Sequence, residues 1–148
     1  MVEVQDLVVD ASVGVKVFLR EDGTEEARSL FRSMTGPQAK SLLVPDSFFP
    51  ECGAALRKAV LRNGLPAAIA EGEMVRLCAL GLAVRGSRDL AACALRLANA
   101  EGLSVYDAVY VALSDRTGAP LVTADRRLHG RLQAKGHRVL GLWEMPAA

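Results

Sequence analysis

Residues 121–128 read LVTADRRL, and this stretch decides the fold. A short apolar run ending in threonine is typical of a strand buried in a parallel sheet, and the polar Asp125-Arg126-Arg127 segment marks the start of a helix. Residues 7–10, LVVD, repeat the arrangement near the beginning of the chain. In both stretches an aspartate follows a predicted buried strand, at the edge where open α/β sheets bind their ligands.

Predicted strands and helices alternate along the rest of the chain. Further strands are predicted at residues 42–44, 82–84 and 139–142. Helices are predicted at residues 12–19, 24–34, 47–63, 66–80, 87–101, 104–115 and 126–135, with Ser12, Thr24, Ser87 and Ser104 as caps and Gly36-Pro37, Gly64, Gly102, Gly118 and Gly136 as stops. This order predicts an α/β fold with a mostly parallel central sheet flanked by helices, in three layers α/β/α.

Length, charge and hydropathy limit the class of protein. A chain of 148 residues fits one domain, predicted to span residues 1–148. The formal net charge of +1 argues against a broad basic face, so any nucleic-acid contact is expected to be local. No stretch approaches the roughly 20 apolar residues that cross a bilayer. We therefore expect a soluble, cytoplasmic protein without a membrane partner.

The cysteines and histidines do not form a metal-binding pattern. Cys52, Cys78 and Cys93 lie in helical segments without CxxC spacing. They are predicted to be small buried apolar residues in a reducing compartment, and a zinc site is not expected. His129 and His137 are isolated and are expected on a helix surface and at a strand end. Neither histidine is assigned a role.

Four acidic residues stand beside apolar runs: Asp10, Glu51, Asp107 and Asp125. Each has a structural explanation, since Asp10 and Asp125 fit helix caps, Asp107 fits a capping box with Ser104, and Glu51 suits the amino-terminal end of a helix. However, Asp107 begins a helix that is apolar nearly all round, so it is expected to face the interior or a cleft. Charge is tolerated there only with a partner.

These acids predict a metal site if the fold brings them together. Two carboxylates about 4 Å apart repel each other by roughly 4 kcal/mol at an effective dielectric constant near 20, so a cluster of four needs a divalent cation. Ligands that are all oxygen favour Mg²⁺ or Mn²⁺ over zinc. The natural chemistry of such a site is displacement at phosphorus by a metal-activated water.

Four motifs carry a family resemblance. They are residues 8–13 with Val15-Lys16, Glu51 in a helix after Val44-Pro45, residues 106–113 (YDAVYVAL), and residues 121–128. In this order and over nearly the whole chain, they resemble the motifs of PIN-domain ribonucleases and, within them, the VapC-type toxins. The last two segments are specific when they occur together.

The resemblance implies a Mg²⁺- or Mn²⁺-dependent endoribonuclease. The acidic quartet of Asp10, Glu51, Asp107 and Asp125 would be the catalytic and metal-binding residues, and Ser12 and Thr123 would hydrogen-bond the ligands or a substrate phosphate. Similar proteins are homodimers that a VapB-type antitoxin silences by wrapping the toxin and inserting a basic residue near the metal site. One position departs from the pattern: Ala54 stands where many relatives have Asn, one turn after Glu51.

Cations next to the acids are candidates for holding RNA. Lys16, Arg126 and Arg127 could bind substrate phosphates, because the quartet alone would repel RNA; a solvated surface is the alternative. Core packing is favoured over base stacking for Tyr106 and Tyr110. Trp143 is interpreted as a core or interface anchor.

Several other functions remain open. A PIN-fold nuclease that processes RNA outside a toxin-antitoxin pair would share these motifs, as would a non-catalytic RNA-binding or assembly module. A phosphoacceptor signalling domain would need an acceptor Asp after a middle strand and a Lys after a late one, and neither stands where required. A DxD-type phosphatase would need a second acid, which Asp10-Ala11-Ser12 lacks.

Overall fold

Five strands and seven α-helices alternate in the computed structural model, which describes residues 5–36 and 39–147. The strands are β1 (Leu7–Val9), β2 (Leu42–Pro45), β3 (Ala83–Arg85), β4 (Leu121–Thr123) and β5 (Val139–Gly141). The helices are α1 (Ala11–Gly14), α2 (Thr24–Arg32), α3 (Phe48–Asn63), α4 (Ala67–Cys78), α5 (Ala91–Glu101), α6 (Val105–Thr117) and α7 (Arg126–Ala134). Short 3₁₀ helices occupy Val15–Val17, Ser87–Asp89 and Leu142–Glu144.

The sheet has the strand order β3-β2-β1-β4-β5, and every pairing is parallel. Val8 pairs with Leu43 of β2 on one side and with Leu121 of β4 on the other. The chain thus runs outward from β1 to β3 and then returns to the other side of β1 to form β4 and β5. Strand order reverses between β1 and β4, and in such sheets the carboxyl ends of these two strands flank the ligand-binding crevice. The predicted three-layer α/β/α architecture is confirmed.

The core lies between the central strands and α6. All residues of β1, β2 and β4 are buried, as expected for strands covered on both faces. Residues 108–114 of α6 are buried without interruption, and the Tyr110 side chain has no exposed surface. Burying a large apolar side chain stabilises the fold by about 1.5–3 kcal/mol, so this helix anchors the sheet and fixes the position of Asp107 in its first turn.

The helix ends agree with the predicted stops. Gly64, Gly102 and Gly118 follow α3, α5 and α6 in the left-handed conformation, with φ of 70°, 70° and 74°. Only glycine adopts this conformation without a steric penalty, so these positions end the helices sharply. Pro37, predicted with Gly36 to end the second helix, lies outside the described residues.

Three predicted caps are wrong. Gly23 and not Thr24 precedes α2 as its N-cap, and the Thr24 hydroxyl donates to the Leu19 carbonyl oxygen at 2.9 Å. Asp10, two residues before the predicted Ser12, caps α1, because its carboxylate accepts a hydrogen bond from the Ser12 backbone N–H. Ser87 does not cap α5, since the 3₁₀ helix Ser87–Asp89 comes first and the Ser87 N–H donates to Asp46 Oδ1 at 3.1 Å. Ser104 does cap α6 as predicted.

Three side-chain environments also differ from the predictions. Cys52 is buried, but Cys78 is exposed and Cys93 is partly buried. His129 is buried instead of lying on a helix surface, because the Trp143 ring packs against it with 5.0 Å between ring centroids. Tyr106 is 66% exposed and is not part of the core. Within the described residues, no helix has both the length and the apolar character to cross a membrane.

Candidate active site

Asp10 and Asp125 lie at the carboxyl ends of the two strands that meet at the reversal of strand order. Asp10 directly follows β1 and is buried, whereas Asp125 follows β4 and is exposed. The Asp125 carboxylate accepts hydrogen bonds from the N–H groups of Arg127 and Leu128, both at 3.0 Å. Both aspartates are therefore helix caps, and this role places both of them at the ligand-binding edge of the sheet.

Two hydroxyl groups join these strand ends. Asp10 Oδ2 accepts hydrogen bonds from Ser12 Oγ at 3.0 Å and from Thr123 Oγ1 at 2.8 Å. Ser12 Oγ in turn accepts from the Ala124 N–H at 3.0 Å, and Thr123 Oγ1 accepts from the Asp125 N–H at 3.1 Å. A buried carboxylate that accepts several hydrogen bonds is held in one orientation. Ser12 and Thr123 thus fix the Asp10 carboxylate.

Glu51 and Asp107 come to the same region from two other helices. Glu51 lies in the first turn of α3, which packs against α1, and Glu51 Oε1 accepts a hydrogen bond from the Tyr110 hydroxyl at 3.3 Å. Asp107 lies in the first turn of α6, where its N–H donates to Ser104 Oγ at 3.1 Å. Because Tyr110 and Asp107 both belong to α6, this helix links the two acids.

The charges of these acids act on one another. Burial, followed by the nearby charge of Asp10, raises the pKa of Glu51 to about 7. Burial raises the pKa of Asp10 against the effect of its two hydroxyl partners, and the charge of Asp107 adds to the rise. The pKa of Asp107 is raised by burial and by the charge of Asp125. The four carboxyl groups therefore form one electrostatically coupled set.

The donor chemistry of this set fits a hard divalent cation. Its ligating atoms are all carboxylate oxygens, and in the part of the chain that the structure describes none of the four acids forms a salt bridge with a lysine or arginine. Buried negative charge without a counter-ion is what a Mg²⁺ or Mn²⁺ ion offsets. Among the described residues, however, no group of three or more His, Cys, Asp or Glu side chains is placed so that it could hold a metal ion.

The predicted cationic residues have different surroundings. Lys16 Nζ lies 3.3 Å from Glu21 Oε1, in a salt bridge that partly neutralises the positive charge of Lys16. The Arg126 guanidinium carbon lies 4.1 Å from the centroid of the Trp143 ring. Arg127 is exposed beside Asp125. All three residues follow strands that end at the same edge of the sheet as the acids.

Sequence reasoning missed two side chains of the site. The Tyr110 hydroxyl that bonds Glu51 was assigned to core packing alone, although Tyr110 stands three residues after Asp107 and so lies on the same face of a helix. Arg131, whose charge lowers the pKa of Asp107, donates to the carbonyl oxygens of Glu101 and Gly102 at 3.3 and 2.6 Å. No local pattern indicates Arg131, because its partners are 29 and 30 residues away.

A parallel sheet with coupled acids at the reversal of its strand order defines a class of protein. Comparison with known families identifies that class. The family model described as the PIN domain matches residues 7–132. Ribonuclease VapC3 from Pyrobaculum aerophilum is 32% identical over 130 residues, which cover 86% of this chain and 95% of the relative. The chain belongs to the PIN-domain family and, within it, to the VapC-type proteins. Both findings support a nuclease.

Solved structures agree with this assignment. The crystal structure of PAE2754 from Pyrobaculum aerophilum superposes with a TM-score of 0.61 at 26% identity, covering 86% of this chain and 80% of that one. VapC20 from Mycobacterium tuberculosis, described as a Sarcin-Ricin loop cleaving toxin, gives a TM-score of 0.64 at 17% identity and covers 89% and 96% of the two chains. At that identity, the likeness to VapC20 shows the fold alone.

Proposed function

We propose that this protein is a Mg²⁺- or Mn²⁺-dependent endoribonuclease that acts as the toxin of a VapBC-type toxin-antitoxin pair. The observation that carries the proposal is the coupled set of four carboxyl groups where the strand order of a PIN-domain sheet reverses, between β1 and β4. The 32% identity to a ribonuclease supports the choice of RNA as substrate. Membership of the VapC-type proteins supports the toxin role.

The acidic quartet would hold the metal, with Asp10, Glu51, Asp107 and Asp125 as ligands. A divalent cation held there would supply activation of a water for attack on phosphorus and would offset negative charge on the leaving oxygen. The side chains of this protein orient the ligands. Ser12 and Thr123 orient the Asp10 carboxylate, and the Tyr110 hydroxyl orients that of Glu51. Such partners of metal ligands maintain both their geometry and their charge.

Substrate binding requires positive charge beside the quartet. Lys16, Arg126 and Arg127 lie next to the acids in sequence, and we assign them to the phosphates that flank the scissile bond. The hydroxyls of Ser12 and Thr123 donate to Asp10 Oδ2, so we assign them to the metal ligand and not to a phosphate. Phosphate contacts position a nucleic acid without reading its sequence. The overall charge of +1 agrees with a local contact of this kind.

The test of catalysis is RNA cleavage by the purified protein with Mg²⁺ or Mn²⁺, with and without EDTA. Cleavage is expected only with the metal. Asp10→Asn is expected to abolish cleavage while the fold is retained, because the amide keeps the size of the carboxylate and its remaining oxygen still accepts hydrogen bonds. Asp6→Asn is the matched control, since Asp6 is exposed just before β1 and its loss should leave the rate unchanged. Cleavage by Asp10→Asn at the wild-type rate, or in EDTA, would refute the proposal.

The toxin role requires protein partners, a VapB-type antitoxin and a second copy of the chain. Large apolar side chains are exposed on two helices: Leu61 of α3 is 66% exposed, and Ile69 and Val75 of α4 are 52% and 71% exposed. Exposed apolar surface of this kind supports a protein interface. Growth arrest on expression, relieved by a co-expressed antitoxin, would distinguish a toxin from an RNA-processing nuclease. Light scattering would measure the oligomeric state.

A further inference from the structure

A cleft of about 490 Å³ opens beside the acidic quartet. Its lining includes Lys16 from the turn after α1, Arg126 from the start of α7 and Trp143 from the turn after β5. Asp22, Gly23 and Glu26, around the start of α2, also line it. The volume is in the range of sites that enclose a small ligand.

The cleft is continuous with the candidate active site through the chain segment that follows β4. Ala124 lines the cleft, and its N–H donates to Ser12 Oγ, one of the two hydroxyls that hold Asp10. The next two residues are Asp125 of the quartet and Arg126 of the cleft. A nucleotide that extends from a phosphate at the quartet would therefore reach this cleft within one or two units of its backbone.

Arg126 and Trp143 form a cation–π pair inside the cleft. The guanidinium carbon lies 4.1 Å from the indole centroid, and the edge of the indole is fixed by His129 at 71° between ring planes. Arg126 is exposed, and no carboxylate pairs with it among the described residues. One side of the guanidinium is thus covered by the indole, while its charge and its other side stay open to a ligand.

Two glycines make room for this arrangement. A Cβ atom at Gly141 would collide with the Trp143 ring, so only glycine lets the indole lie where Arg126 covers it. Gly23 has φ of 93°, and a Cβ there would come within 3.0 Å of the Lys16 side chain and 3.1 Å of Leu142. The cleft therefore depends on two positions where a side chain is excluded.

We infer that this cleft binds a nucleobase next to the scissile phosphate, stacked on the open side of the Arg126 guanidinium, with a preference for guanine over uracil. The inference rests on the proposed ribonuclease function and names a subsite of the same substrate. Unpaired bases commonly stack on arginine planes and aromatic rings in RNA-binding proteins. Trp143 acts as a positioning residue, because the Arg126 guanidinium lies over its ring at 4.1 Å.

The acids of the cleft supply the base preference. Asp22 and Glu26 line the same space as Arg126 and carry carboxylates, which accept hydrogen bonds but donate none. The Watson–Crick edge of guanine offers an N–H and an amino group side by side, which match a carboxylate in a paired contact. Uracil offers a single N–H flanked by two carbonyl oxygens, and these repel a carboxylate. Guanine is therefore the base that this set of charges favours.

Trp143 is the only tryptophan of the sequence, so its fluorescence reports on the cleft directly. We would titrate the wild-type protein in EDTA with two RNA pentamers, UUGUU and UUUUU. Without metal no cleavage is expected, and the repulsion between the quartet and RNA is the same for both pentamers. UUGUU should change the Trp143 fluorescence and bind about tenfold more tightly than UUUUU, as expected for one stacked base with its hydrogen bonds. Equal affinities, or no fluorescence change at saturation, would overturn the inference.

Variants separate stacking from simple attraction between charges, with fluorescein-labelled pentamers as the probe. Arg126→Lys keeps the charge but loses the planar group, so its affinity for UUGUU should fall about tenfold. Arg62→Lys on the exposed end of α3 is the matched control and should bind as wild type does. Removing Asp22 and Glu26 together by Ala should abolish the difference between the pentamers. Wild-type affinity and preference in Arg126→Lys would show that the planar group does not carry a base.

The two proposals fail in different ways. If the wild-type protein cleaves RNA with Mg²⁺ but shows neither the fluorescence change nor the preference for guanine, the cleft inference is wrong and the ribonuclease function stands. If the fluorescence change and the preference appear but no divalent metal supports cleavage, the nuclease proposal is wrong and the cleft remains an RNA-binding site. Trp143→Phe retains an aromatic ring and should keep most of the preference for guanine over uracil. A retained preference would show that this variant is folded.

Discussion

Thr123 Oγ1 donates a hydrogen bond of 2.8 Å to Asp10 Oδ2 across 113 residues of sequence. Thr123 is fully buried and Asp10 is 6% exposed, so this contact lies where water cannot replace it. It joins the carboxyl ends of β4 and β1 and lowers the pKa of a carboxyl group that burial raises. One hydroxyl therefore maintains both the geometry and the negative charge of the acid on which the proposed metal site depends.

The first prediction is that Thr123→Val weakens metal binding. Valine has nearly the same shape but no hydroxyl, so the Asp10 carboxylate loses a donor. The apparent affinity for Mg²⁺, measured as the metal concentration that gives half-maximal RNA cleavage, should fall about 10- to 100-fold. Thr123→Ser keeps the hydroxyl and should stay close to wild type. A valine variant with an unchanged metal requirement would show that the hydroxyl does not support the ligand.

The second prediction concerns Tyr110→Phe. The Tyr110 hydroxyl lowers the pKa of Glu51, which burial and the charge of Asp10 together raise to about 7. Without the hydroxyl the pKa of Glu51 should rise further, so the acidic limb of the pH–rate profile should move to higher pH. The same profile at saturating Mg²⁺ should show a smaller displacement, because the metal competes with the proton. Identical profiles for the variant and wild type would contradict a role for Tyr110 in holding Glu51.

The sequence predicted the positions of Asp10 and Asp125 because both depend on local signals. Each follows a short apolar run, and each caps the helix that comes next. The helix stops were predictable for the same reason, since Gly64, Gly102 and Gly118 must adopt a conformation that other residues avoid. Parallel order followed from alternating strands and helices, without knowledge of any tertiary contact.

The surroundings of single side chains were less predictable. Tyr106 and Tyr110 are one turn apart on the same helix, yet the first is 66% exposed and the second is fully buried. The difference arises because the start of α6 is exposed and its burial begins only at Ala108, a boundary that the sequence does not reveal. His129 is likewise buried by Trp143, which the chain brings back only after β5. Such contacts depend on the fold and leave no local pattern.

The third prediction is a pH dependence of stability without metal. The pKa of Glu51 rises from 4.5 to about 7 on folding, and those of Asp10 and Asp107 also rise. The folded state therefore binds more protons than the unfolded state between about pH 4.5 and 7, and the free energy of unfolding falls as the pH increases through this window. In EDTA, the melting temperature should be higher at pH 5.5 than at pH 8.

Metal and mutation should both remove this dependence. Mg²⁺ at pH 8 should raise the melting temperature, because it binds the folded state and offsets the carboxylate charges. Glu51→Gln should flatten the curve between pH 5.5 and 8 in EDTA, since glutamine does not titrate. A wild-type protein that is most stable at pH 8 in EDTA would mean that the carboxyl groups do not share one site.

The approach of α1 to α3 depends on the absence of a side chain at Gly14. A Cβ atom there would lie 2.6 Å from Phe48 Cζ and 3.1 Å from Cys52 Sγ, and both of those side chains are fully buried. Neither can move away without disturbing the packed core. Since Glu51 is the residue before Cys52, the contact at Gly14 also sets how closely Glu51 approaches the end of β1.

The fourth prediction is that Gly14→Ala destabilises the protein and impairs the site. The added methyl group overpacks the contact between α1 and α3, which typically costs about 1–3 kcal/mol, and it should push Glu51 away from Asp10. Denaturant unfolding should show the loss of stability, and the metal concentration for half-maximal cleavage should increase. Gly72→Ala is the matched control: Gly72 is exposed in α4 with open space around it, so alanine should stabilise by about 0.5–1 kcal/mol and leave cleavage unchanged. If both alanine variants stabilise the fold equally, the close approach at Gly14 does not exist in solution.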